Sequence, residues 1–127
     1  MNECAKNRVL IIGATNLIEA IDPAALRPGC FDRKVFIGPP DLEAHLEMLK
    51  LHMADRPQEE VDWLQVAKKL EFCTIAEIGN IINAAAWMAV EKRRPNQQKD
   101  LLQAIDDNPP AQSEAKIDDM KARIGFV

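Results

Sequence analysis

The stretch Val9-Leu10-Ile11-Ile12-Gly13-Ala14-Thr15-Asn16, resumed four residues later as Ile21-Asp22-Pro23-Ala24-Ala25-Leu26-Arg27-Pro28-Gly29, decides how this chain is read. The run from Val9 to Ala14 is continuously apolar and lies between polar Lys6-Asn7-Arg8 and Thr15-Asn16. A run of strand length without alternation suits a strand buried on both faces, as in a parallel sheet. Asp22 is placed to cap a helical turn with Pro23 at its first position, and Pro28-Gly29 stops that turn. Lys34-Val35-Phe36-Ile37 reads as a second short strand, closed by Gly38-Pro39-Pro40. Two parallel strands cannot make an independent sheet, and a strand apolar on both sides needs cover on both. Residues 1–40 are therefore expected to be the C-terminal part of a larger α/β domain.

After Asp41 nearly everything reads as helix. Leu42, Leu46, Leu49 and Met53 recur at helical spacing and form one stripe, which Arg56-Pro57 terminates. A second helix is expected over about Val61 to Leu70. Thr74 with Glu77 three residues on is a capping box for a third, whose Ile75, Ile78, Ile82, Ala85, Ala86 and Ala89 line one face, with Trp87 on another. A fourth spans about Gln98 to Asp107, with Leu101, Leu102 and Ile105 turned inward. Beyond Asn108-Pro109-Pro110, Ser113 can cap a last short helix carrying Ile117, Met120 and Ile124. The expected fold class is an α-rich α/β fragment: a remnant of a doubly wound parallel sheet (two short strands) in 1–40, then a four-helix domain in 41–127.

Composition narrows the function. With 47% apolar and 28% charged residues the chain is an ordinary globular sequence, and no apolar run approaches the ~20 residues of a membrane helix. Met1-Asn2-Glu3 lacks the basic start of a secretion signal, so a cytoplasmic location is expected. A net charge of −4 argues against a nucleic-acid partner, since phosphate binding draws on a basic surface. The cluster Lys92-Arg93-Arg94 falls where the third helix should end and is expected to meet the negative end of its dipole. Cys4, Cys30 and Cys73 are widely spaced and are expected to be free thiols. No metal site is expected, because neither His45 nor His52 joins a cysteine at metal-ligand spacing. The acid pairs Asp106-Asp107 and Asp118-Asp119 read as solvated faces.

These motifs, with Phe31-Asp32-Arg33, Ile37-Gly38-Pro39-Pro40-Asp41, Leu49-Lys50-Leu51-His52 and Thr74-Ile75-Ala76-Glu77-Ile78, resemble the second half of an AAA-type ATPase core over about Asn7 to Phe126. The resemblance implies a sheet domain followed by a helical lid, working as a ring that couples ATP binding and hydrolysis to remodelling of protein substrates. It implies that Asn16 is the sensor-1 asparagine, whose amide orients water and the γ-phosphate. It makes Arg27 the first arginine finger, acting on the neighbouring subunit's nucleotide, with Arg33 a further candidate or a brace paired with Asp32. It sets His52 beside ribose and base, and Ile75-Ala76 where the family carries Gly-Ala against adenine. Its cofactors would be ATP and Mg²⁺, and its partners the N-terminal half of the module, neighbouring ring subunits and a protein substrate.

Three departures follow from the same comparison. The position of the family's second finger is Cys30, and a thiol cannot present a planar cation to phosphate. Ile75 adds a branched side chain where the family's glycine lets the base approach. The five glycines at 13, 29, 38, 79 and 125 build no Gly-x-x-x-x-Gly-Lys-Ser/Thr loop to cradle phosphates. A second reading is a non-enzymatic helical protein-interaction module derived from an AAA lid. Because the phosphate cradle and Mg²⁺ site supply most of the binding, this polypeptide alone is expected neither to bind ATP nor to hydrolyse it. Titration of a fluorescent ATP analogue into the pure chain should give no saturable, Mg²⁺-dependent signal.

Overall fold

The computed structural model describes residues 7–125. Cys4 and Phe126 lie outside them. Two short 3₁₀ turns, Ile18–Ala20 and Pro23–Leu26, precede five α-helices: α1 (Leu42–Met53), α2 (Trp63–Lys68), α3 (Ile75–Glu91), α4 (Gln98–Asp107) and α5 (Glu114–Arg123). The chain forms two compact units, one made of 7–37 with 115–125 and the other of 38–114. The division expected at Asp41 therefore differs in one respect, because the last helix groups with the first residues.

Within 38–114, α3 packs against α1 and α4, α2 packs against the same two, and one core joins all four. In that core the buried Ile78, Ile81, Ile82 and Ala85 of α3 join Leu49 and Met53 of α1, Val66 and Ala67 of α2, and Leu101, Ala104 and Ile105 of α4. Each fully buried aliphatic side chain of this kind stabilises the fold by about 1.5–3 kcal/mol. Helix starts are chemically explicit. The Asp41 carboxylate accepts from Ala44 N–H at 2.9 Å, Asp62 from Gln65 N–H at 3.1 Å, and Thr74 with Glu77 completes the expected capping box. The α1 stripe differs at two positions. Leu42 is exposed at the helix start, and buried His45 takes the inner place one turn on. Ile75, expected in the core face of α3, is 56% exposed, whereas Ile78 one turn on is fully buried.

The end of α3 corrects the expected dipole contact. The helix stops at Glu91, Arg93 adopts the left-handed conformation at φ 51°, and Arg94 N–H reaches back to the Ala89 carbonyl at 3.2 Å. This is a Schellman-type stop with arginine where glycine is usual. Arg94 then turns away from the helix end toward Asp100, whose carboxylate it holds at 2.6 and 2.8 Å. Asp100 also accepts Gln97 N–H at 2.9 Å, which caps α4. Below the pair, Asn96 exchanges backbone bonds with Pro57 and Glu59, and a parallel bridge joins Gln58 to Asn96.

Residues 7–37 differ from the strand expectation. Neither Val9–Ala14 nor Lys34–Ile37 forms a ladder among the described residues, and Leu10, Ile12 and Ile37 are more than four-fifths exposed. The physical reason is the one the pattern itself contains: a strand's backbone groups are satisfied only by neighbouring strands. Among the described residues the apolar leading runs join no sheet, and the helices of 38–114 carry a hydrophobic core of their own.

The paired Asp100 makes the lid acid-sensitive. The hydrogen bond from Arg94 holds the Asp100 carboxyl below its ordinary range against the opposing effect of burial. Burial pushes Glu77 upward, but hydrogen bonds from Ala111 and Thr74 outweigh it and leave the net shift downward. A depressed folded-state value means stability that is present above the ordinary carboxylate range, about 4, and is lost as pH falls through the lower folded value. Urea melts followed by circular dichroism should weaken on acidification below about pH 4. Asp100→Asn should lower stability at neutral pH and reduce the loss on acidification, because it leaves Arg94 without its anion.

Candidate functional site in the finger turn and the lid

The turn carrying Arg27 is built by its own backbone. Asp22 accepts Ala24 N–H at 2.8 Å, and Pro23 supplies the first position of the 3₁₀ turn Pro23–Leu26, as the sequence indicated. Cys30 N–H then donates to the Arg27 carbonyl at 3.2 Å across Pro28-Gly29, and Gly29 sits at φ 93°. Proline at the second position and a positive-φ glycine at the third are the signature of a type II turn. Such a turn puts its first and fourth residues side by side, so Arg27 and Cys30 stand together at one exposed corner. Phe31 N–H closes the loop onto the Ala25 carbonyl at 3.3 Å.

Asp32 braces this turn in another way than expected. Its carboxylate accepts Gly29 N–H at 2.6 Å, and among the described residues no ion pair joins it to Arg33. The backbone amide is three residues away and fixed by the turn, so it outcompetes a mobile exposed guanidinium. Arg27, Arg33 and the Asn16 amide are exposed and make no side-chain hydrogen bond to any described residue. Thr15, next to Asn16, accepts Leu17 N–H at 3.0 Å and bends the chain after the apolar run. The Phe31 ring lies against Gly13, where an added Cβ would stand 3.3 Å from Cζ, so the turn carrying Arg27 abuts the apolar run Val9 to Ala14.

In the lid unit, two ties set α1 against α3. His45 Nε2 donates to the Cys73 carbonyl at 3.2 Å, which assigns the ring proton to Nε2 and makes this buried histidine a structural one. Arg56 donates to Asn83 Oδ1 at 2.8 Å. Both helices therefore run in the same direction, and His52 stands within roughly two turns of Ile75 and Ala76 along their axes. His52, Ile75 and Ala76 are all exposed. His45 and His52, seven residues apart, thus have opposite environments. Cys73 is buried and free, with its thiol pushed up by desolvation and by Glu77, whereas Cys30 is free and exposed.

Sequence reasoning did not isolate Gly29 as the residue that presents Arg27, although the Pro-Gly pair carried that signal. It also passed over the Gly13–Phe31 contact, which no local pattern announces.

The family model described as "ATPase family associated with various cellular activities (AAA)" matches residues 1–39. The chain is 39% identical over 103 residues to an ATP-dependent zinc metalloprotease FtsH 2 of Sphaerobacter thermophilus, covering 80% of this chain and 16% of that protein. It is 42% identical over 87 residues to an FtsH 2 of Thermoanaerobacter sp., covering 68% of this chain and 17% of that protein. The chain belongs to the AAA family, as a C-terminal part of its module. In fold it is similar to the FIGL-1 AAA domain in complex with ADP, with TM-score 0.81 and 18% identity over 91% of this chain and 44% of that one. A katanin structure concerned with self-assembly gives TM-score 0.82 and 19% identity, over 95% of this chain and 49% of that one. The chain thus spans about a sixth of the length of the curated relatives it matches. Among the described residues no helix is long and apolar enough to cross a membrane, and no three His, Cys, Asp or Glu side chains gather as a metal site.

The geometry makes Gly29 the residue to test. Gly29→Ala forces a side chain into the left-handed region at a cost of about 1 kcal/mol. Amide exchange at Cys30 and Phe31 should quicken about fivefold, while exchange in α3 stays unchanged.

Proposed function

We propose that this chain is the sensor, finger and lid portion of an AAA ATPase subunit, in a ring that couples ATP binding and hydrolysis to remodelling of a protein substrate. The observation that carries the reading is Arg27 itself: a guanidinium on a type II turn, exposed and without an acid partner among the described residues. A cation so placed is pre-organised for an anion supplied from outside, and a neighbouring subunit's γ-phosphate is such an anion. Asn16 follows the apolar run as sensor 1, at the C-terminal end where open α/β sheets bind ligands. His52, Ile75 and Ala76 flank the base from the lid. ATP and Mg²⁺ are held by the N-terminal half of the module, so the chain alone is inactive. The remaining partners are neighbouring ring subunits and a protein substrate, with no nucleic acid, in the cytoplasm.

A second reading, a helical protein-interaction module, draws on one observation: Trp87 on α3 is 68% exposed, with Val90 one turn on at 61%. Large exposed apolar side chains on one helix face suit a protein contact.

The test completes the module with its phosphate-binding half and mixes each variant with a subunit defective in its own phosphate loop. Arg27→Ala should leave nucleotide affinity nearly intact and cut turnover in trans by about tenfold or more. Cys30→Arg should raise turnover, since it adds a cation at the same corner of the turn. If Arg27→Ala is silent in these mixtures and Arg33→Ala abolishes turnover, the finger is Arg33. If neither matters, the interaction-module reading stands in its place.

A further inference from the structure

Helix α5 follows the lid in sequence but belongs to the unit formed by residues 7–37. Its apolar residues Ile117, Met120 and Ile124 fall at helical spacing on one face, and Ile117 is buried while the other two are half-buried. Its polar side makes one contact with the leading segment and feels one charge from it. The Lys121 ammonium stands 5.6 Å from the centre of the Phe36 ring. Arg123, bonded to Asp119 at 2.8 Å, lies near enough to Glu19 for that carboxylate to act on it as well. Glu19 precedes the finger segment Asp22 to Arg33, and Phe36 follows it. Helix α5 therefore touches the segment that presents Arg27 at its far shoulder, Phe36, and lies within reach of the charge of Glu19 at the near one.

Among the described residues that segment is otherwise tied to the rest of its unit by the Phe31 ring against Gly13. Its backbone bonds are local, running from Ala25 to Asp22, from Cys30 to Arg27 and from Phe31 to Ala25, and its flanking apolar runs form no ladder. Local turns fix the shape of a loop but not its attachment to the rest of a molecule. A helix that packs on the Phe36 shoulder and shares a unit with the whole segment supplies the attachment, and it does so from the far end of the chain.

We propose that α5 is a clasp that positions the finger turn, with Ile117 and Lys121 as positioning residues for Arg27. The proposal rests on the reading of Arg27 as a finger for its functional meaning, but the clasp itself is testable without nucleotide. Hydrogen exchange on the full chain reads it through the amides of Ala25, Cys30 and Phe31. Lys121→Ala should quicken their exchange about two- to fivefold, the range expected for an exposed cation–ring contact. Lys121→Arg, which keeps a cation over Phe36, should restore the original rate. Ile117→Ala should act in the same sense and more strongly, and exchange in α3 and α4 should not move in any of the three. The clasp is overturned if the finger-segment amides exchange equally in all variants. It is also overturned if α3 and α4 lose protection in step with them, which would make α5 a general stabiliser. In the completed ring, Lys121→Ala should lower kcat with KM for ATP unchanged, and Lys121→Arg should rescue it. Should the exchange results hold while Arg27→Ala is silent in trans, the clasp stands and the finger assignment fails.

Discussion

The lid depends on one ion pair more than on any other polar contact. Asp100 is nearly inaccessible, and it does three things at once: it receives both arms of the Arg94 guanidinium, caps α4 through Gln97 N–H, and so fixes the turn between the two longest-packed helices. A carboxylate cannot be left in that position without a cation, because the cost of desolvating it is several kcal/mol. Arg94 reaches it only because α3 stops where it does, on a left-handed Arg93. The Asn96 crossing to Pro57 and Glu59, which ties the α1–α2 connection to the α3–α4 connection, lies three residues beyond Arg93. Helix termination, ion pair and crossing form one arrangement. Each part sets the position of the next.

The unit formed by 7–37 and α5 is organised on different physics. It has little buried apolar area and relies on backbone turns, on Phe31 against Gly13, and on α5. Segments with few buried contacts open at low free energy, and such segments are where movable functional groups are drawn from. The lid is continuous in sequence, but it is inserted between two stretches of the other unit. Any rearrangement of the lid is therefore carried by two connections, before α1 and after α4.

The candidate residues separate along the same division. Asn16, Arg27 and Arg33 ride on the sparsely packed unit; His52, Ile75 and Ala76 ride on the lid. Cys30 stands at the corner beside Arg27, where a second guanidinium would double the positive charge. The turn geometry would accept either side chain, since it is set by Pro28, Gly29 and the Asp32 carboxylate rather than by the side chain at 30. The chemistry at that corner is thus decoupled from its fold.

Local chemistry was legible in the residues themselves. The capping box Thr74–Glu77, the Asp22-Pro23 start, the helix over Gln98–Asp107 and the stop at Pro28-Gly29 each depend on contacts within a few positions, so short-range spacing determined them. The family motifs were readable for the same reason: they are contiguous. What spacing could not determine was everything that depends on a partner distant in sequence. Arg94 was read as a dipole partner for α3, yet it serves Asp100; Arg33 was read as the partner of Asp32, yet a backbone amide takes that carboxylate. His45 and His52 share a register on one helix, and only the packing of Cys73 against one of them makes it structural and leaves the other exposed. Val9–Ile12 and Lys34–Ile37 carry strand character that no neighbour completes, because a ladder is a property of pairs of strands. The sequence by itself determined the helices, their caps and the finger turn, since these are closed by bonds between near neighbours. Only the tertiary structure decided which charges pair, which histidine is buried and where α5 goes, since each of those turns on desolvation by residues far away in the chain.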